Sequence, residues 1–166
     1  MYLSLQNPLP TLKIDQLYSY LIISSERKER MEVFLRRVSL IFSAGALGGL
    51  LNSVALWALG RFGITAMIGV KLAPKLVPMW LYPRIVWGGL WGLLFLLPLF
   101  KHSPFKRGVL FSLGPTVMQL FVVFPHKAYK GYLGLELGGM TPVLVVVLNA
   151  VWGISAAYWL SMLGEE

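Results

Sequence analysis

Between Arg37 and Arg61 the chain runs through 23 residues, Val38 to Gly60, without a charge. As a helix that stretch is about 35 Å long at 1.5 Å per residue, enough to cross a hydrocarbon layer of about 30 Å. It is read as a membrane span. Three further apolar stretches follow, roughly Pro83–Phe100, Gly108–Pro125 and Pro142–Leu163. The expected fold class is therefore all-α: a polytopic membrane protein with a four-transmembrane-helix bundle at residues 38–166, preceded by a cytoplasmic or interfacial segment at residues 1–37.

Composition agrees with that solvent. Of 166 residues, 57% are hydrophobic and 13% charged, with a mean hydropathy of +0.68, whereas soluble domains carry about 25% charged residues. No cysteine is present, which excludes disulfides, thiolate metal sites and a cysteine nucleophile. Residues 1–23 contain Pro8 and Pro10, lack a basic start and show no apolar core before small residues, so the first span is expected to serve as its own insertion signal. The net charge of +8 points to anionic lipid headgroups and not to nucleic acid, because the bases flank apolar spans and form no dedicated basic face.

In the polar segment, Thr11 is placed to cap a short amphipathic helix through Leu12, Leu17, Tyr18 and Leu21, lying in the membrane interface. A second helix is expected from Ser25, with Glu26, Arg27, Lys28, Glu29, Arg30 and Glu32 at mutually supporting spacings, running directly into the first span. Within that span Gly45, Gly48, Gly49, Asn52 and Ala55 fall at helical spacing, and Gly45-x-x-x-Gly49 is a pattern that lets membrane helices approach closely. Gly88 and Gly92 repeat it in the second span, and Asn149, Gly153 and Ala157 in the fourth. Pro83 and Pro142 are expected at helix starts, and Pro115 inside the third helix should kink it. Arg84, one residue past Pro83, is expected to snorkel to the membrane edge beside Trp80 and Tyr82.

Overlaying the chain on itself at an offset of 65 places Val86-Trp87-Gly88 on Val151-Trp152-Gly153, Ile68-Gly69-Val70-Lys71-Leu72 on Leu133-Gly134-Leu135-Glu136-Leu137, and Arg84 on Asn149. This suggests two tandem hairpins whose connections, Arg61–Tyr82 and His126–Thr141, share one side of the membrane and one structure. The N-terminal segment, the short loop Lys101–Arg107 and the tail carry nine Lys and Arg against six on the other side. Cytoplasmic termini in an inner or plasma membrane follow from that bias.

The acidic residues narrow the chemistry. Asp15, Glu26, Glu29 and Glu32 precede the first span, Glu165 and Glu166 end the chain, Glu136 sits in a connection, and none lies within a span. Ion-coupled transporters bury carboxylates along their path and phosphoryl-transfer enzymes hold magnesium with them, so both classes lose support. His102 and His126 fall on opposite sides of the expected bilayer and cannot jointly ligate a metal; no metal site, cofactor or catalytic residue is assigned. The strong hydrogen-bonding side chains within the spans are Asn52, Gln119 and Asn149. With Arg84 they form either a polar seam between packed helices or the lining of a pathway. Lys71, Lys75, His126, Lys127 and Lys130 make a cationic rim suited to anions or lipid headgroups.

The function expected from these features is non-enzymatic: an accessory, assembly or lipid-organising subunit, partnered with membrane lipids and with other membrane chains or copies of itself. A small passive channel or uniporter for an anion or neutral solute is the alternative. An enzyme acting on a lipid phosphate through His126 and Lys130 ranks third.

Overall fold

The computed structural model describes residues 14–164, the side chain of Asp15 excepted. Its regular structure is helical throughout: α1 (Ile14–Arg61), α2 (Ile64–Met67), α3 (Pro78–Gly92), α4 (Pro104–Met118) and α5 (Thr141–Met162). A 3-10 turn, Leu93–Leu96, continues α3, and a π-helix, Gln119–Lys127, continues α4. Three helical stretches are long and apolar enough to cross a membrane: Gln16–Arg61, Pro104–Lys127 and Thr141–Met162.

The chain divides into two compact units, Met1–Arg36 and Arg37–Glu166. In the first, every described side chain is exposed. Thr11 and Leu12 lie outside the described residues, as do Glu165 and Glu166. Two separate helices are not found: α1 is a single helix from Ile14. Ser25 caps nothing, since its hydroxyl donates back to the Ile22 carbonyl at 2.8 Å. No Gly or Pro interrupts residues 14–44, so nothing forces a break. The expected charge pairing is represented by Arg30 and Glu26, 3.3 Å apart and exposed.

The second unit is built on close backbone contacts. Gly45 and Gly49 of α1 face Gly88 and Gly92 of α3: a Cβ on Gly88 would lie 2.7 Å from the Gly45 carbonyl oxygen and 2.9 Å from the Gly49 Cα. Any larger residue must push the helices apart. An analogous ladder joins α4 to α5, where Gly108 meets the Gly153 carbonyl and Gly153 meets Gly108 and Ser112. Gly48, on a separate face of α1, rests against Trp152 of α5. The indole Nε1 of Trp152 donates to the Gly45 carbonyl at 2.9 Å. Ile41, Ala44, Phe95, Phe111, Trp152 and Leu160 form a buried apolar cluster. Phe95 and Phe111 meet there edge to face, 4.9 Å between centroids.

Helix limits follow the prolines, though not always those expected. α3 starts at Pro78, behind an extended Val77, and not at Pro83, which sits inside it; the residue before a proline is pushed out of helical geometry. Leu97, extended before Pro98, ends the 3-10 turn for the same reason. α4 begins at Pro104, four residues before the expected Gly108, which takes Arg107 out of the connecting loop. Arg107 is 2% exposed. It donates from Nη2 to the Phe95 carbonyl at 2.6 Å and lies over the Phe95 ring, satisfying a carbonyl at a helix end that has no intrahelical donor. α5 opens as expected, with Pro142 in its first turn.

The connections that follow α1 and the π-helix meet at one end of the unit. The Lys71 N–H donates to the Leu137 carbonyl at 2.7 Å, and Gly138 packs directly on the Gly69 carbonyl. They do not share one structure. The first holds α2 and an irregular stretch to Val77, while the second holds a 3-10 segment, Tyr132–Leu137, in which Leu133 and Gly134 adopt left-handed geometry.

Candidate functional site

The four polar residues singled out within the expected spans converge. Ser53 belongs to the face of α1 that carries Gly45 and Gly49, and Asn52 to the adjoining face with Gly48. The two therefore look toward α3 and α5 respectively. Arg84, one turn before Gly88 on α3, turns inward between these helices and does not snorkel outward. Its Nε donates to Ser53 Oγ at 2.9 Å and its Nη2 to Asn52 Oδ1 at 2.7 Å. Trp80 covers one face of the guanidinium, 4.8 Å from ring centroid to Cζ. Inward rotation is favoured because Asn52 and Ser53 offer oxygen acceptors within reach of the guanidinium.

From Arg84 the hydrogen bonds run on across the unit. Asn52 Nδ2 donates to the Leu148 carbonyl at 2.8 Å and to Asn149 Oδ1 at 3.3 Å. Asn149 Nδ2 donates to Thr116 Oγ1 at 3.1 Å, and Thr116 donates to the Ser112 carbonyl at 2.7 Å. One chain of donors thus links α3, α1, α5 and α4. Both amides are committed at each end, so their orientation is fixed by neighbours.

Beside this chain lies a cavity of about 320 Å³ between α3 and the α4–π-helix arm. Asn52 and Asn149 form its back, Arg84 one side, and Gln119 and Lys127 the other. Trp87, Trp91, Trp152, Met118 and Val122 supply much of the remaining wall. Its inner end stops at Trp91 and Trp152, beyond which Phe95 and Phe111 are packed. Lys127 lies at the end of the π-helix on one side of the lining, and Trp152, on the other, belongs to the packed Phe95–Phe111 cluster.

The charge in this vestibule is uncompensated. Guanidinium stays protonated in proteins and has five N–H donors; the fold's own acceptors take two from Arg84. Among the described residues no carboxylate lines the cavity or pairs with Arg84. Lys127 adds a second positive charge. No group of three His, Asp or Glu side chains forms among the described residues.

Of the cationic rim, Lys127 alone lines the cavity; Lys71, Lys75, His126 and Lys130 are exposed outside it. His102 and His126 are likewise exposed and far apart in the chain's order of elements. Sequence reasoning missed Ser53, Thr116 and Ser112. A signal for them existed: Ser53 continues the spacing of Gly45 and Gly49, and Gly108, Ser112 and Thr116 recur at intervals of four. Comparison with protein-family models, curated proteins and solved structures returns no match for this chain.

Proposed function

We propose that this chain is a non-enzymatic multi-pass membrane protein that holds an anionic ligand in the vestibule between α3 and α4. Four spans are part of the reading. α3 with its 3-10 continuation covers Pro78–Leu96; at 1.5 Å per α-helical residue and about 2 Å per 3-10 residue it extends roughly 30 Å, the thickness of a hydrocarbon core. The basic residues favour cytoplasmic termini. Of the two small-residue ladders, Arg84, Gly88 and Gly92 fall on Asn149, Gly153 and Ala157 at the offset of 65, as a duplicated hairpin would leave, while their partners Gly45, Gly49 and Ser53 match Gly108, Ser112 and Thr116 only at 63.

The observation that carries the anion reading is Arg84, bonded between helices to neutral groups and lining a cavity that lacks any carboxylate among the described residues. A buried charge is expensive unless paired, and a bound anion completes the pair. An accessory subunit that merely packs against partners needs no such vestibule. The alternative, a passive anion or neutral-solute path, requires a route past the packed Phe95, Phe111 and Trp152 rings, and that packing favours holding over conduction.

Thermal unfolding of the purified full chain at fixed ionic strength tests this. Anionic ligands, water-soluble or lipid, are expected to raise the midpoint, and Arg84→Gln to abolish the rise. A folded wild-type protein indifferent to every anion removes the reading. Anion flux above the protein-free level in reconstituted vesicles supports conduction instead.

A further inference from the structure

We infer that the anion is the phosphate of a membrane lipid, which enters the vestibule sideways from the bilayer through the slot between α3 and the α4–π-helix arm. The inference rests on the anion reading above and specifies its ligand. Three observations support it, beginning with the wall. Trp87, Met118 and Val122 line the cavity and are at the same time 55%, 39% and 39% exposed on the unit's lateral surface. The mouth is therefore not a ring of loops at one end; it continues down the flanks of two helices that face acyl chains in a four-span protein.

The second observation is the balance of the lining. A free inorganic anion would shed its water against tryptophan, methionine and valine, with nothing to replace those contacts. A phospholipid brings the phosphate to Arg84 and Lys127 and lays its own hydrocarbon along Trp87, Met118 and Val122. Two cations and an amide, Gln119, in one lining suit a phosphodiester with a polar substituent.

The third is depth. Arg84 lies four residues, about 6 Å along the helix, beyond Trp80 and two beyond Tyr82. Tryptophan and tyrosine mark the headgroup level, so the guanidinium sits within one turn of the plane where lipid phosphates reside.

The test uses the full chain in a neutral detergent, titrated separately with phosphatidylglycerol, phosphatidylcholine of the same acyl chains, and inorganic phosphate. Phosphatidylglycerol at about a hundred times its Kd is expected to raise the unfolding midpoint by roughly 5–10 °C, with phosphatidylcholine and inorganic phosphate near zero. Lys127→Gln, an exposed position that the fold tolerates, should weaken phosphatidylglycerol about fivefold. Val122→Trp, which narrows the slot without touching a charge, should weaken it further. Inorganic phosphate acting as strongly as phosphatidylglycerol, with Val122→Trp silent, overturns lateral lipid entry and leaves the anion site standing. Phosphatidylcholine acting as strongly as phosphatidylglycerol overturns the recognition of anionic charge. No response to any of the three overturns both this inference and the reading beneath it.

Discussion

Replacing Asn52 with leucine removes the centre of the hydrogen-bond chain while nearly preserving side-chain volume. Three contacts disappear: the Arg84 Nη2 bond at 2.7 Å, the bond to the Leu148 carbonyl at 2.8 Å and the longer one to Asn149 Oδ1 at 3.3 Å. Interhelical hydrogen bonds in membranes contribute about 0.6–2 kcal/mol each. The Arg84 bond is charge-assisted and belongs at the upper end of that range, while the 3.3 Å contact belongs at the lower end. Arg84 keeps Ser53 and Trp80, which softens the loss. The expected cost is therefore about 2–4 kcal/mol. Unfolding in mixed micelles, driven by a denaturing detergent and followed by tryptophan fluorescence, measures it directly. Asn149→Leu should cost about 1–3 kcal/mol through Asn52 and Thr116, and the double substitution should fall short of the sum by about 0.5–2 kcal/mol because one bond is shared. An Asn52→Leu protein within about 0.5 kcal/mol of the parent, or strict additivity in the pair, refutes the linked chain.

Three other outcomes follow from the packing. Gly88→Ala places a methyl against the backbone of Gly45 and Gly49, so a loss of about 1–3 kcal/mol is expected in the same assay; an unchanged midpoint means the helices are farther apart than described. Trp152→Phe keeps an aromatic six-membered ring but removes the pyrrole half of a buried indole along with its bond to the Gly45 carbonyl, with an expected cost of about 2–4 kcal/mol and no change in secondary structure by circular dichroism. Gly69→Ala should cost only the left-handed backbone penalty of about 1–2 kcal/mol, since nothing lies within 4 Å of its added methyl, whereas Gly138→Ala collides with the Gly69 carbonyl and should cost more; equal losses would contradict the tight crossing of the two connections.

What the sequence made legible is what an apolar solvent leaves no freedom over. For Asn52, Gln119 and Asn149, amides in apolar helices, the expectation was an inward place, and all three line a single cavity. Gly45, Gly49, Gly88, Gly92 and Gly153 mark close approaches because a missing side chain at spacing four has few other uses in a membrane helix. Arg84 was harder. Its distance from a span edge is compatible with either snorkelling or burial, and the choice depends on Ser53 and Asn52 of another helix. Arg107 reads as a loop cation for the same reason, since its partner, the Phe95 carbonyl, is a backbone group supplied by the preceding turn. Ser53, Ser112 and Thr116 are ambiguous by chemistry: each hydroxyl bonds a carbonyl of its own helix and so looks self-sufficient in sequence. The rim lysines differ by helix geometry, with Lys127 carried to the cavity by the π-helix that Lys130 lies beyond.

The donors from Arg84 through Asn52 and Asn149 to Thr116 all point the same way. Turning either amide over would set nitrogen against nitrogen on one flank and oxygen against oxygen on the other, so the row has a single self-consistent sense, set by the guanidinium that begins it. A ligand that draws Arg84 toward itself thereby pulls at the first link of a string whose far end is tied to the backbone of α4, the very helix that forms the opposite lip of the cleft.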